Sequence, residues 1–161
     1  MADYDRCVRE RRVHCGADLR TRSRTNRLLG LPPNAGFMVG GAHFVTREGE
    51  EATICWPKYR DEEHGWGNRQ EEYGEDIGRG FRAVLTYSER NLDEVVNQEH
   101  IERVINTPAE RIRYVFWREE LHNHRWYKFY GKFQLDEDAT RRENKCIFRR
   151  IASEVPTNLA V

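Results

Sequence analysis

The sequence predicts an α+β fold: one domain with a curved or barrel-like, mainly antiparallel β-sheet and one main packed helix at about residues 92–106. Three observations predict it. Trp126 to Leu135 alternates between two faces, with Tyr127, Phe129, Gly131, Phe133 and Leu135 on one and Trp126, Lys128, Tyr130, Lys132 and Gln134 on the other, and this period of two is a strand signal. Leu92, Val95, Val96, Ile101, Val104 and Ile105 follow at helical spacing between a capping box at Asn91–Glu94 and a stop at Pro108. A length of 161 residues suits one domain with a real core.

In chain order, residues 1–27 read as a basic N-terminal arm, residues 28–156 as the folded domain and residues 157–161 as a tail. The arm is polar, with eight arginines between Arg6 and Arg27. Leu28 to Gly36 is a loop punctuated by Pro32 and Pro33. Gly36 to Val45 is a glycine-rich apolar strand or strand-loop-strand, in which the lone His43 reads as a loop anchor. Ala52 to Trp56 is a short strand, and Pro57 to Gly80 the longest irregular stretch, with Tyr59, Trp66 and Tyr73 among acids. A long loop inside a compact domain is usually functional or disordered, and the rings argue against plain disorder. Phe81 to Tyr87 is a buried strand. Arg111 to Trp117 and Lys145 to Ile151 flank the Trp126 strand, joined to it by charged hairpin connections at residues 119–125 and 136–144. Gly131 at mid-strand signals a bulge, a bend or a close backbone approach.

Lys plus Arg and Asp plus Glu both number 27, so there is no global basic field. The charge is unevenly placed, because residues 61–76 hold seven acids and one arginine. Cys7, Cys15, Cys55 and Cys146 form no CxxC pair and match no zinc spacing. No apolar h-region or membrane-length run is present. These features place the chain inside the cell with reduced thiols, in the nucleus if eukaryotic and otherwise in the cytoplasm.

His122 and His124 beside Glu119 and Glu120 are the candidates for a metal or for acid–base work, since alternate residues of a strand face one way. Two ligands do not close a site, and no spacing fixes a third. The dinucleotide, P-loop, nucleophile-elbow and HExxH patterns are all missing, so neither cofactor nor metal nor catalysis is expected.

The order of features resembles the SRA (SET- and RING-associated) domain, a PUA-like β-barrel that reads modified cytosine in DNA. Val39 to His43 is similar to that family's Gly-Gly-Ile-His segment. Tyr73 to Gly80, followed by Leu85 to Ser88, looks like its Tyr-acid-Asp segment and Tyr-Thr ending. Asn97, Gln98 and Asn106 sit where the family has Asp-Gln and a later Asn, and Ile112 to Phe116 resembles its Val-Arg-Val strand. Tyr130-Gly131 looks like its Tyr-Asp-Gly signature, with tyrosine in place of aspartate, and Cys146 to Arg150 matches the closing strand.

A reader of a flipped base needs rings to stack on, a carboxylate for the Watson–Crick edge and arginines for the phosphates. Tyr73, Asp76 and Tyr87 are the expected base pocket, and Arg20, Arg22, Arg24, Arg27 and Arg79 the expected phosphate contacts. The partner is then DNA, with RNA and a protein partner left open. Two alternatives stand beside this reading. One is a protein-interaction module without nucleic-acid binding. The other is a small metal-dependent nuclease or hydrolase using His122, His124 and Glu119.

Overall fold

The structure is a computed structural model that describes residues 2–37, 40–61 and 64–159. Met38 and Val39 of the glycine-rich segment, Glu62 and Glu63 of the acidic stretch, and Ala160 and Val161 of the tail lie outside the described residues. In chain order the elements are α1 (Ala2–Glu10), β1 (Arg12–His14), α2 (Arg22–Leu28), β2 (Gly41–Val45), β3 (Glu51–Cys55), β4 (Arg60–Asp61) and β5 (Trp66–Asp76). They continue with β6 (Phe81–Asn91), α3 (Glu94–Asn106), a 3-10 turn (Pro108–Glu110), β7 (Ile112–Leu121), β8 (His124–Leu135), α4 (Glu137–Glu143), β9 (Cys146–Ala152) and β10 (Glu154–Pro156).

Eight strands make one sheet in the order β2-β3-β7-β8-β9-β6-β5-β4, and β1 pairs with β10 in a separate ribbon. Every neighbouring pair is antiparallel except β3 with β7. The α+β class holds, but the sheet is open and not closed into a barrel, since β2 and β4 stand at its two ends.

The alternation of β8 is real up to Gly131, where the register shifts against both β7 and β9. Gly131 has φ +137°, and the ladder slips by one residue around it. The slip changes which face a side chain meets. Tyr127 and Phe129 enter one core with Phe44, Ile54, Trp56 and Phe116. Phe133 and Leu135 enter a second, with Tyr87, Val115, Ile101, Val104 and Phe148. The single apolar face expected from the sequence is thus split between the two sides of the sheet.

Residues 1–27 are not an arm. Cys7, Val13, Leu19 and Leu28 are buried in the first core, and β1 ties this segment to β10. Thr21 caps α2 by accepting from the Arg24 N–H, and Trp56 Nε1 donates to the buried Thr25 hydroxyl at 2.8 Å. The segment expected as a tail is anchored too, at Asn158. The Asn158 N–H donates to the Leu28 carbonyl and its amide to those of Leu29 and Val45.

On the opposite face lies α3, capped by Asp93 rather than Asn91. Its buried stripe is Asn97, His100, Ile101, Val104 and Ile105, while Leu92, Val95 and Val96 are exposed, contrary to the expected apolar stripe. Two further corrections concern charged segments. Trp66–Asp76 is an eleven-residue strand rather than loop, and residues 137–143 form α4, capped by Asp136. None of the described helices is long and apolar enough to cross a membrane.

Gly131→Ala tests the switch of sides in β8. A Cβ there would lie 2.5 Å from Arg150 Cδ and 2.9 Å from the Ala152 carbonyl oxygen. The backbone conformation alone costs about 1–3 kcal/mol for a residue with a side chain, and the clash with Ala152 adds to it. Urea melts should show at least that loss; a loss within about 0.5 kcal/mol, typical of a neutral surface change, would contradict the assignment.

Candidate nucleic-acid interface

Beyond α3, the second face of the sheet continues uncovered along the β7–β8 hairpin. Its turn is His122-Asn123, both at positive φ, as two-residue hairpin turns require. That turn fixes the pairs Leu121 with His124, Glu119 with Trp126 and Trp117 with Lys128. Cross-strand partners share a face, so these six side chains and Tyr130 stand together. Glu119 accepts from Trp126 Nε1 at 2.9 Å and pairs with Lys128 Nζ at 3.6 Å, which fixes the indole plane.

Trp117 and Tyr130 form the floor, half-buried, with ring centroids 6.4 Å apart in an edge arrangement. Tyr87 lies beneath, its ring 6.3 Å from Trp117. From β5 the exposed Glu72 adds a carboxylate to this face; it forms no hydrogen bond or ion pair among the described residues. The Tyr130 phenol is held above its usual range, first by burial, with the nearby Glu72 charge adding and Arg150 opposing.

At the hairpin tip this face opens into a cleft of about 370 Å³, lined by Asp18, Arg20, Leu121, His122, His124, Arg125 and Trp126. Arg20 arrives through Gly16–Leu19, which runs along the β8 edge past the end of β9; Gly16 donates to Phe129 and Leu19 to Tyr127.

The residues expected as a base pocket do not converge. Tyr87 is 1% exposed and its hydroxyl donates to Glu89 at 2.6 Å, so it has no free ring face for a base. Tyr73 is exposed but opposite Val84, on the other face of the sheet. Asp76 shares the Tyr87 face but pairs with Phe81, six residues away along β6, roughly 20 Å at strand spacing. There its carboxylate accepts from the Gly78 N–H in the turn.

The expected phosphate arginines scatter as well. Arg20 lines the tip cleft, and Arg27 and Arg79 are exposed elsewhere. Arg22 lies over Trp56, Phe37 and Tyr127, with its guanidinium 4.9 Å from the Trp56 ring, and Arg24 lies over Tyr4. Those two hold α2 and α1 in place. His43 is exposed on the edge strand β2 opposite Thr53, and its side chain forms no hydrogen bond or ion pair among the described residues.

For metal chemistry, His122 belongs to the turn and not to an alternating strand, and Glu119 is engaged by Trp126 and Lys128. Among the described residues the one close trio of ligand types is Glu89, His100 and Cys146, all buried. That trio is part of a hydrogen-bonded network. Glu89 accepts from His100 Nε2 at 2.7 Å, from Arg113 at 3.1 Å and from Tyr87 at 2.6 Å. Arg103 donates to His100 Nδ1 at 2.8 Å, so Nε2 carries the proton that Glu89 accepts. Burial alone would raise the Glu89 carboxyl, but Arg113 and His100 overcome it and hold the group well below the carboxylate range. Burial pushes the Cys146 thiol up, away from the thiolate a metal needs.

The floor of Trp117, Tyr130, Glu119 and Glu72 escapes sequence reading because it joins residues from three strands. The alternation of Val115, Trp117 and Glu119, registered through the two-residue turn onto Lys128 and Trp126, is the signal that would have found most of it.

The fold defines an open-sheet α+β domain that carries an uncovered aromatic and charged face. It matches part of the solved structure of AbaSI, the 5-hydroxymethylcytosine-specific restriction enzyme, with a TM-score of 0.69 at 20% identity. The match covers 98% of this chain and 46% of that one, so the chain spans about half that enzyme's length. The sequence matches no family model and no curated protein.

Arg113→Met tests the buried network. It leaves the buried Glu89 charge without its guanidinium partner, held by the His100 and Tyr87 donors alone, at a cost of about 3–5 kcal/mol at pH 7. Arg113 is one of the groups that hold the folded Glu89 carboxyl down against burial, so its loss raises that carboxyl from its depressed position. The deficit relative to the unaltered protein is therefore full above the variant's folded pKa and narrows as pH falls through it. Urea melts at pH 7 and pH 4 should show the deficit narrowing in acid; an equal deficit at both would assign the loss to packing.

Proposed function

We propose that this chain is an SRA-like module that binds DNA and reads a modified cytosine on the face formed by Trp117, Tyr130, Glu72 and Glu119. The observation that carries the reading is the half-buried Trp117–Tyr130 pair, with the Glu72 carboxylate of β5 on the same face of the sheet and unpartnered among the described residues. Rings at the edge of a core offer a stacking surface to a base turned out of its duplex. A carboxylate suits the cytosine amino group, which is a donor. Glu72 fills that role here in place of Asp76, and Tyr130 is a stacking ring. The structural likeness to an enzyme specific for 5-hydroxymethylcytosine supports the same substrate class. The chain resembles only part of that enzyme, and cleavage is no part of this proposal.

The β5–β6 hairpin supplies a second contact. Phe81 and Ile77 at its tip are 77% and 50% exposed, and apolar wedges of this kind fill base steps that have been opened. A protein-interaction role has one observation in its favour, the exposed Leu92, Val95 and Val96 at the start of α3. It predicts that substitutions on α3, and none on the β7–β8 face, alter binding.

Anisotropy titrations with matched duplexes carrying cytosine, 5-methylcytosine or 5-hydroxymethylcytosine test the reading. The protein should prefer one modified duplex. Tyr130→Ala should lose a stacking contribution of about 1–3 kcal/mol, roughly 5- to 150-fold, on that duplex. Glu72→Gln should narrow the preference while leaving plain-duplex binding intact. Equal affinity of the unaltered protein for all three duplexes would refute the proposal.

A further inference from the structure

The cleft at the tip of the β7–β8 hairpin is separate from the ring floor and has its own chemistry. Four of its seven lining side chains are basic or imidazole: Arg20, Arg125, His122 and His124. The acid among them, Asp18, accepts from the Arg20 backbone N–H at 3.0 Å and lies 3.5 Å from its Nε. Arg125 Nε lies 2.9 Å from Glu120, and both arginine side chains are more than 60% exposed. Ion pairs this exposed are weak, so they orient the guanidinium groups without consuming them.

The backbone gives a second indication, at Arg20. The positive φ of His122 and Asn123 belongs to the hairpin turn, and asparagine and histidine tolerate that conformation better than most. Arginine does not, and glycine would be easier at Arg20, at φ +68°. A side chain held against backbone preference points to a place where that side chain is used. Trp126 closes one wall, its indole fixed by Glu119. The cleft thus offers positive groups on one side and a ring on the other, in a volume that suits a single nucleotide.

We infer that the tip cleft is a phosphate-binding nucleotide subsite, in which Arg20, Arg125 and the two histidines hold the phosphate and Trp126 borders the sugar or base. The inference rests on the proposed DNA-binding role and adds to it a seat blind to base modification. The phosphate belongs to a DNA backbone or to a free nucleotide, two sources of one chemistry.

The test uses Arg20→Gly with His122→Gly, and separately Arg125→Ala. Because glycine relieves the positive φ at both positions, the double variant should melt no lower than the unaltered protein. Binding of a short unmodified duplex should weaken on the order of tenfold, and the slope of log affinity against log salt should fall by about 0.9 for each phosphate that is no longer neutralised. Arg125→Ala should move both quantities the same way. Competition by dCMP that disappears in the double variant assigns the cleft to free nucleotides; weaker duplex binding without such competition assigns it to the backbone. A double variant with unchanged duplex affinity, unchanged salt slope and unchanged dCMP competition overturns the inference. So does one that unfolds, if Arg125→Ala is also silent. The preference for a modified duplex, read in the same titrations, belongs to the ring floor, so either proposal can fail alone.

Discussion

One strand has to serve two cores, and the molecule is arranged around how β8 does so. At Gly131 the ladder slips by one residue, so the rings before it pack beneath the N-terminal segment and those after it pack beneath α3. Gly131 is also approached by Ala152 and Arg150 of β9, closely enough that a side chain would collide. The slip and the close approach need the same residue, which makes glycine there a double requirement. Because both faces of the sheet are then occupied, the β7–β8 hairpin is left as the part that extends beyond α3, and its face there is open.

A second constraint is the charge buried under α3. Glu89 is enclosed, and it is tolerable only because His100, Arg113 and Tyr87 all donate to it. This ties β6, α3 and β7 together by directional contacts. It also fixes Tyr87, which in turn supports the edge of Trp117. The polar network and the candidate base surface are therefore successive layers on one face, the first rigid and dry, the second half-open.

The parts of the fold visible in the sequence are those whose side chains see one environment. Residues 126–135 read as a strand because apolar and polar positions alternate, but the exchange of sides at Gly131 requires knowing what packs above each face. Strand β5 escaped because most of its residues are exposed on both faces, so acids and glycines stand where alternation would be. In α2 the buried positions include Thr25, whose hydroxyl accepts from Trp56, and Asn26, whose amide N–H groups donate to the carbonyls of Pro33 and Ala35, and no apolar stripe announces them. Of the candidate surface, the mixed face of Trp126, Lys128 and Tyr130 was visible in the sequence, whereas Tyr73, Asp76 and Tyr87 are scattered by strand geometry. Proximity in sequence favoured those three; the floor is instead built across β5, β7 and β8.

The four tryptophans give the most direct test of where DNA meets this protein. Trp117 and Trp126 stand on the proposed face, Trp56 lies in the first core under Arg22, and Trp66 packs edge-on against His100. Each indole N–H gives its own signal in a nitrogen–proton correlation spectrum, assignable by single Trp→Phe variants. Addition of a duplex carrying a modified cytosine should shift the Trp117 and Trp126 signals and leave those of Trp56 and Trp66 in place. Shifts confined to Trp56 or Trp66, with Trp117 and Trp126 unmoved at saturating DNA, would contradict the account.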